Sequence, residues 1–297
     1  MKRKYLDEII GRNYTDKTYR FICREYSLKL SYPPLIMGVL NVTPDSFSDG
    51  GRFFDEQRAL KHALRMEREG ADIIDIGAES TRPGAKRVSA AEQLRRIEKI
   101  VGVLSKRLDI PISIDTSSSL VARKCLERGA SIINDIYALR RDKKLAAVAA
   151  EYNAGLILMH MKGTPATMQK KPEYKDVIKE VIDFLARAKK QALSAGVKKE
   201  NIILDPGIGF GKTTEHNLKL LNRISRFKPL GSPLLIGTSR KSFIGQVLDV
   251  PVKKRDAGTA ISLVFAALNG AKIVRVHNVK EMKQAITLCD AIIREKI

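Results

Sequence analysis

The chain has 297 residues, of which 44% are hydrophobic and 29% are charged, so its composition is that of a globular protein and excludes a largely disordered one. Its formal net charge of +21 would attract phosphorylated small molecules, nucleic acid or acidic membranes. Aromatic residues make up only 6%, and lysine and arginine are spread over most predicted helices, which disfavours nucleic-acid binding.

Cysteine usage and hydropathy bound the location of the protein. Cys23, Cys125 and Cys289 are odd in number and widely separated, which predicts free thiols in a reducing compartment. The basic segment Met1–Lys4 is not followed by an apolar segment, so a secretory signal is not expected. The longest apolar stretch, Ala260–Leu268, is too short to span a bilayer. We therefore expect a cytoplasmic protein with no membrane partner.

Eight short apolar runs, rich in β-branched residues, predict buried parallel strands. In chain order they are Leu35–Leu40, Asp72–Gly77, Pro111–Asp115, Ser131–Ile136, Gly155–Met161, Asn201–Leu204, Pro233–Ile236 and Ala271–Val276. Helical patterns lie between the runs. Gln57–Glu69 stops before Gly70, and Arg255–Asn269 stops at Gly270, both positions that suit a helix end.

Strand–helix alternation repeated eight times predicts an α/β fold of the (β/α)8 TIM-barrel type, a single domain over residues 32–297. An open doubly wound sheet is the structural alternative, but Asn41–Gly51 does not supply the GxGxxG loop that it would need. Residues 1–31 lie outside this alternation and form an N-terminal extension. Within it, Tyr19–Leu30 predicts a short hairpin at the N-terminal mouth of the barrel.

Polar side chains follow the predicted strands at their C-terminal ends, where the active sites of TIM barrels lie. Asp115, Asn134, Asp205 and Lys241 bring two carboxylates, an amide and an ammonium to this mouth. Such a set suits a flat heterocycle that carries several N–H donors and a carbonyl.

A second group of polar residues suits a phosphorylated leaving group. Asn41, Arg275 and His277 follow the first and last runs, which become neighbours once the barrel closes. Arg275 and His277 can bind phosphate oxygens, and Asn41 is an expected oxygen ligand for a phosphate-bound Mg²⁺.

Other polar residues have simpler structural explanations. Asp135 and Asn278 are expected to form a turn and a helix cap, and His160 to be a buried or rim side chain, not a metal ligand. Three glycines are expected to shape the loop after the sixth run: Gly207, Gly209 and Gly211. The histidines lack zinc-site spacing, so a zinc site is not expected. No Gly-x-Ser-x-Gly motif occurs, so covalent acyl chemistry is not expected either.

The segments around these strand ends resemble the signatures of the dihydropteroate synthase family. Met37–Gly51 (MGVLNVTPDSFSDGG) resembles the first signature and Asp75–Gly84 (DIGAESTRPG) the second. Further matching segments are Met159–Pro165, Thr167–Gln169, Asp205–Lys212, Ser239–Gly245 and Arg275–His277. The resemblance runs from about Leu35 to the C terminus and does not explain the N-terminal extension.

The resemblance implies a transferase of folate biosynthesis that joins 6-hydroxymethyl-7,8-dihydropterin pyrophosphate to p-aminobenzoate and releases pyrophosphate. The expected pterin contacts are Asp115, Asn134, Asp205, Lys241 and Arg275. The expected pyrophosphate contacts are Asn41, Thr81, Arg275, Val276 and His277, with Mg²⁺ as cofactor on Asn41. The p-aminobenzoate site and its mobile loops are expected at Phe47, Thr81, Arg82, Pro83, Phe210 and Ser242.

Of these residues, the expected catalytic set is Asn41, Asp115, Lys241, Arg275 and His277. No protein nucleophile is needed, because the arylamine attacks with its own lone pair. The resemblance also implies inhibition by sulfonamides and a homodimer formed through helices late in the barrel.

Three alternatives stay open from the residues alone. A pterin-binding methyltransferase domain of the same fold would share Asp115, Asn134 and Asp205 but has no use for the pyrophosphate set. A pterin-binding paralogue without turnover would keep every motif. A nucleic-acid-associated binding protein would explain the charge, and steep salt-dependent DNA binding without pterin binding would identify it.

Overall fold

The structure, a computed structural model, describes residues 17–42, 51–79, 84 and 88–296, apart from the side chains of residues 51–55. The strands are β1 Tyr19–Cys23, β2 Tyr26–Leu30, β3 Leu35–Asn41, β4 Ile73–Gly77, β5 Ile112–Asp115, β6 Ile132–Asp135, β7 Gly155–Met159, β8 Ile202–Asp205, β9 Leu235–Ile236 and β10 Ile273–Val276. The α-helices are α1 Gly51–Arg68, α2 Ala90–Leu104, α3 Ser119–Glu127, α4 Lys144–Glu151, α5 Val177–Ser194, α6 Thr214–Asn222, α7 Ser242–Leu248, α8 Asp256–Leu268 and α9 Val279–Arg294.

Strands β3 to β10 form one parallel sheet that closes on itself. The hydrogen-bonded order runs β8-β7-β6-β5-β4-β3-β10-β9. A parallel bridge between Leu204 of β8 and Leu234, just before β9, joins the two ends, and the amide of Leu204 donates to the carbonyl of Pro233 at 3.0 Å. The eight predicted strands and the (β/α)8 barrel are therefore confirmed.

The helices pack around the barrel, and several of them begin at a side-chain cap. Thr213 accepts a hydrogen bond from the amide of His216 at the start of α6, and Asn278 accepts one from Glu281 at the start of α9. The last helices cover the sheet with apolar side chains such as Leu263 and Met282, both buried in the main core. None of the helices over the described residues is long and apolar enough to cross a membrane.

Strands β1 and β2 form the predicted hairpin, paired antiparallel from Tyr19–Leu30 to Cys23–Tyr26. Phe21 and Leu30 are fully buried in one cluster with residues near the start of the barrel strands, among them Ile73 and Ile132. Gly155 makes this approach possible, because a Cβ at that position would collide with the ring of Phe21. The hairpin thus closes the N-terminal mouth and leaves the C-terminal mouth open for a ligand.

Candidate active site

A pocket with about 450 Å³ of empty space lies at the C-terminal mouth of the barrel. It is lined by Val39, Asp115, Asn134, Ile136, Met159, Asp205, Phe210, Gly237, Ser239, Lys241, Arg275 and His277. Seven of these residues were predicted from the sequence as site residues. They come from five different strands or the loops that follow them, as expected of a TIM-barrel active site.

Arg275 on β10 is the centre of the charged cluster on one side of the pocket. Its Nε donates to Oδ2 of Asp75 at 2.7 Å, and its Nη2 lies 2.6 Å from the same oxygen. Nη2 also donates to Oδ2 of Asp115 at 3.0 Å. Asn134 donates from Nδ2 to the shared Asp75 oxygen at 3.1 Å. One carboxylate therefore fixes both the guanidinium and the amide.

The carboxyl groups of this cluster are buried. Asp75 is fully enclosed, and its Oδ1 has no hydrogen-bond partner among the described residues. Burial raises the pKa of Asp115 well above its usual range, although Arg275 opposes the shift. A ligand that brings N–H donors to Asp115 would offset this unfavourable burial of charge.

On the other side of the pocket lie Asp205 at the end of β8 and Lys241 after β9. Oδ1 of Asp205 accepts from the amide of Gly207 at 2.6 Å. Nζ of Lys241 donates to the carbonyl of Ile208 and lies 4.5 Å from the centre of the Phe210 ring. Burial raises the pKa of Asp205, and burial lowers that of Lys241 to about 7, because neither charge is fully solvated.

An apolar surface separates the two charged sides. Ile136, Met159 and Phe210 belong to one buried cluster, together with Met161 and Met168. Apolar side chains between paired acceptors and donors form a site for a flat, polar-edged ring.

Of the predicted pyrophosphate residues, Arg275 and His277 line this pocket. His277 follows β10, and its Nδ1 lies 2.9 Å from Oγ of Ser239. Asn41 is the last residue of β3 and pairs with Gly77 of β4. Its side chain lies over Gly77, because a Cβ added at Gly77 would be 3.4 Å from Oδ1 of Asn41. In the part of the chain that the structure describes, no three His, Cys, Asp or Glu residues cluster to hold a metal. The amide oxygen of Asn41 is of the ligand type that Mg²⁺ prefers, and phosphate oxygens and water would have to supply the other ligands.

Three predicted residues that the structure describes are not in the pocket lining: Asn41, Val276 and Ser242. The side chain of Val276 is buried in the main core, because alternate residues of a strand face opposite ways, so a contact of Val276 with pyrophosphate stays a prediction for its backbone alone. Ser242 is exposed as the first residue of α7, next to Lys241. The expected loop residues lie outside the described part of the chain: Phe47, Thr81, Arg82 and Pro83.

Asp75 and Ser239 were not among the site residues predicted from the sequence. Asp75 stands in the middle of an apolar run, where an isolated carboxylate signals a buried partner of opposite charge. That signal was available in the sequence. Ser239 orients the His277 ring, a contact that only the three-dimensional structure reveals.

The simpler structural explanations are confirmed. Asp135 accepts from the amides of Tyr137 and Leu139 and so forms a turn. His160 is buried, and Gly207 adopts a positive φ of 67° in the loop after β8.

Fold and site together define a pterin-binding TIM-barrel enzyme, and comparison with known proteins agrees. The family model "Pterin binding enzyme" matches residues 37–277. A dihydropteroate synthase of Clostridium beijerinckii is 48% identical over 260 residues, 87% of this chain and 94% of that protein. Two solved dihydropteroate synthases superpose over 92% and 93% of this chain and 98% of their own. One, from Yersinia pestis with a sulfonamide drug complex, has a TM-score of 0.86 at 43% identity. The other, from Xanthomonas albilineans with 4-aminobenzoic acid, has a TM-score of 0.87 at 40% identity. The chain belongs to the dihydropteroate synthase family.

Proposed function

We propose that the protein condenses 6-hydroxymethyl-7,8-dihydropterin pyrophosphate with p-aminobenzoate to give 7,8-dihydropteroate and pyrophosphate. The observation that carries this proposal is the single pocket in which Asp205 and Lys241 face the cluster of Arg275, Asp115 and Asn134. Membership of the dihydropteroate synthase family supports it.

The pterin ring lies between the two charged sides in this proposal. The Asp205 carboxylate accepts from the 2-amino group and the neighbouring ring N–H, because two oxygens match two parallel donors. Lys241 donates to the ring carbonyl, and Asn134 and Asp115 pair with the remaining ring nitrogens. A substrate without these groups would leave buried polar atoms unpaired, which gives specificity.

The chemical step needs stabilisation of charge more than it needs a protein nucleophile. The amine lone pair of p-aminobenzoate forms the new C–N bond at the pterin methylene as the C–O bond to pyrophosphate breaks, and the amine then loses a proton. Arg275, His277 and Asn41 stand at the edge where the leaving group accumulates negative charge. Preorganised donors of this kind are usually the largest catalytic contribution. Mg²⁺ carried by the pyrophosphate, with Asn41 as its protein ligand, would supply further neutralisation.

The p-aminobenzoate site is proposed beside the pterin methylene, between Phe210 and the start of α7. The exposed hydroxyl of Ser242 is available to the benzoate carboxylate. Loop residues Phe47, Thr81, Arg82 and Pro83 would complete this site.

We further propose that two copies of the chain associate through helices α6, α7 and α8. These helices together line an almost wholly apolar surface groove. Its exposed large apolar side chains are Leu218, Val247, Leu248 and Ile261. Exposed apolar surfaces of this kind mark protein interfaces, and a symmetric pair would bury the groove in both copies. A cytoplasmic location accords with the three free thiols.

The test is pyrophosphate release from the pterin pyrophosphate with Mg²⁺, measured with and without p-aminobenzoate and with a sulfonamide. Wild type should require the arylamine and be inhibited by the sulfonamide. Lys241→Ala and Asp205→Asn should each lose about a hundredfold or more in kcat/KM, since each removes a charge-assisted hydrogen bond and leaves the other charge unpaired. Lys190→Ala, an exposed lysine on α5, is the control. Release that needs no arylamine, or corrinoid-dependent methyl transfer instead, would contradict the proposal.

A further inference from the structure

Lys212 is a buried lysine that the proposed reaction does not use. It follows the glycine-rich loop after β8 and is only 2% exposed. Its Nζ donates to the carbonyls of Gly207 and Phe210 at 2.9 and 3.0 Å and lies 2.9 Å from Nδ1 of His160. These three contacts use the hydrogen-bonding capacity of the amine inside the protein, so Lys212 is not left free to bind substrate.

His160 is a fixed partner for this amine. Burial, and next the cation of Lys212, lower the pKa of His160 to about 2, so the imidazole is neutral at physiological pH. Its ring is held edge-on to Phe184, with centroids 4.8 Å apart. The main-chain amide of His160 also donates to the carbonyl of Asp205 at 2.9 Å. Lys212 thereby joins the loop after β8 to the end of β7.

The loop that wraps around Lys212 presents its other groups to Lys241. The carbonyl of Ile208 accepts from Nζ of Lys241, and the Phe210 ring lies against the same atom. The loop lies directly against the residue that follows β7, because a Cβ at Gly207 would collide with the carbonyl of His160. The loop therefore contacts both lysines: the carbonyls of Gly207 and Phe210 accept from Lys212, and the carbonyl of Ile208 and the ring of Phe210 contact Lys241.

We propose that Lys212, with His160 as its partner, is a positioning residue for the pterin site. It pins the loop Pro206–Gly211 so that Ile208 and Phe210 hold the Lys241 ammonium where the pterin carbonyl binds. This proposal rests on the proposed function, because it assigns Lys241 to the pterin.

The charges around the two lysines give the proposal a distinctive readout. Lys241 faces Asp205 and Arg275, and Lys212 faces Asp205, Lys241 and the neutral His160. Removing Lys212 loosens the loop that buries Lys241. Greater access of water to Lys241 then raises the pKa of Lys241 towards its usual value.

The experiment measures the affinity of 6-hydroxymethylpterin by calorimetry from about pH 6 to about pH 9. The proteins are wild type, Lys212→Met, His160→Phe and the exposed-lysine control Lys190→Met. Lys212→Met should bind about tenfold more weakly at pH 6.5, and the loss of affinity at high pH should move to a higher pH than in wild type. His160→Phe keeps the amine and the ring, so it should weaken binding by a smaller factor and move the profile in the same direction. The control should match wild type.

Each result bears on the proposal. Lys212→Met with wild-type affinity, or with weaker affinity but an unmoved high-pH limb, would show that the side chain only supports folding and would overturn it. If Lys212→Met does not fold, His160→Phe decides, and an unchanged profile there overturns the proposal. Failure of wild type to bind the pterin at all would instead refute the proposed function on which this one stands.

Discussion

At the scale of single residues, Lys241 and Asp205 are two oppositely charged groups whose pKa values burial moves towards each other. Lys241 has a pKa of about 7, so the fraction protonated falls as the pH rises through 7. The pKa of Asp205 is raised, so the fraction ionised falls as the pH is lowered. A pterin that needs the ammonium and the carboxylate should therefore bind with a bell-shaped pH dependence.

We predict that the loss of pterin affinity at high pH depends on Lys241. Lys241→Met should bind pterin more weakly than wild type and should no longer lose affinity between about pH 7 and about pH 9, because the titrating group is gone. Calorimetric titration of 6-hydroxymethylpterin across this range checks it, with Lys190→Met as the exposed control. A high-pH limb that persists unchanged in Lys241→Met would assign the titration to another group.

Ser242 is tested by separating the two ligands. Ser242→Ala should weaken p-aminobenzoate and sulfonamide binding about tenfold or more, the loss of one hydrogen bond to a charged group, and leave pterin binding nearly unchanged. Calorimetry with each ligand on the same variant checks this. Equal losses for both ligands would mean that Ser242 acts on the pocket as a whole and not on the benzoate.

The sequence could predict which residues lie at the mouth of the barrel, because these residues stand at strand ends, but it could not predict which of them contact each other. Asp115, Asn134, Asp205 and Arg275 were all placed correctly at the mouth, because strand ends of a barrel converge. The pairing of Arg275 with Asp75 was not predicted, since these two residues are 200 positions apart and the contact depends on the side-chain direction in both strands.

At the scale of elements, the hairpin β1–β2 supplies stability at the end of the barrel opposite the pocket. Phe21→Ala should lower the free energy of unfolding by about 3–5 kcal/mol, because it removes a fully buried ring from the plug. The activity of the folded fraction should stay at the wild-type level. Urea unfolding measures the loss of stability, and pyrophosphate release measures the activity of the folded protein. Lys29→Ala, at an exposed residue of the same hairpin, is the control. A folded Phe21→Ala protein with lost activity would link the plug to the active site.

The elements themselves were largely predictable, and the misses have local reasons. Continuous apolar runs identify strands buried on both faces, so all eight were found. The run Pro233–Ile236 became a strand of only two residues, Leu235–Ile236, because Pro233 has no amide to donate and Leu234 makes only an isolated bridge. Helix α1 begins at Gly51 and not Gln57, since helix ends are the part of a helix that a sequence pattern determines least.

At the scale of the whole molecule, the apolar groove on α6, α7 and α8 predicts association of two copies. Ile261 is 72% exposed there, so Ile261→Arg should place a charge in each half of the interface and shift the dimer towards monomer. Sedimentation at several concentrations measures the shift. Leu120→Arg, an equally drastic change at an exposed leucine on α3, should leave the assembly intact. A wild-type protein that is monomeric at micromolar concentration would refute the dimer.

The most direct test of the central claim, that one pocket joins a pterin to an arylamine, is the stoichiometry of the two products. Wild type is incubated with the pterin pyrophosphate, Mg²⁺ and p-aminobenzoate, and dihydropteroate and pyrophosphate are quantified together by mass spectrometry and a coupled assay. We expect equal amounts of dihydropteroate and pyrophosphate, and neither product when p-aminobenzoate is left out. Tight pterin binding with no dihydropteroate formed would contradict it and would identify a pterin-binding paralogue without turnover.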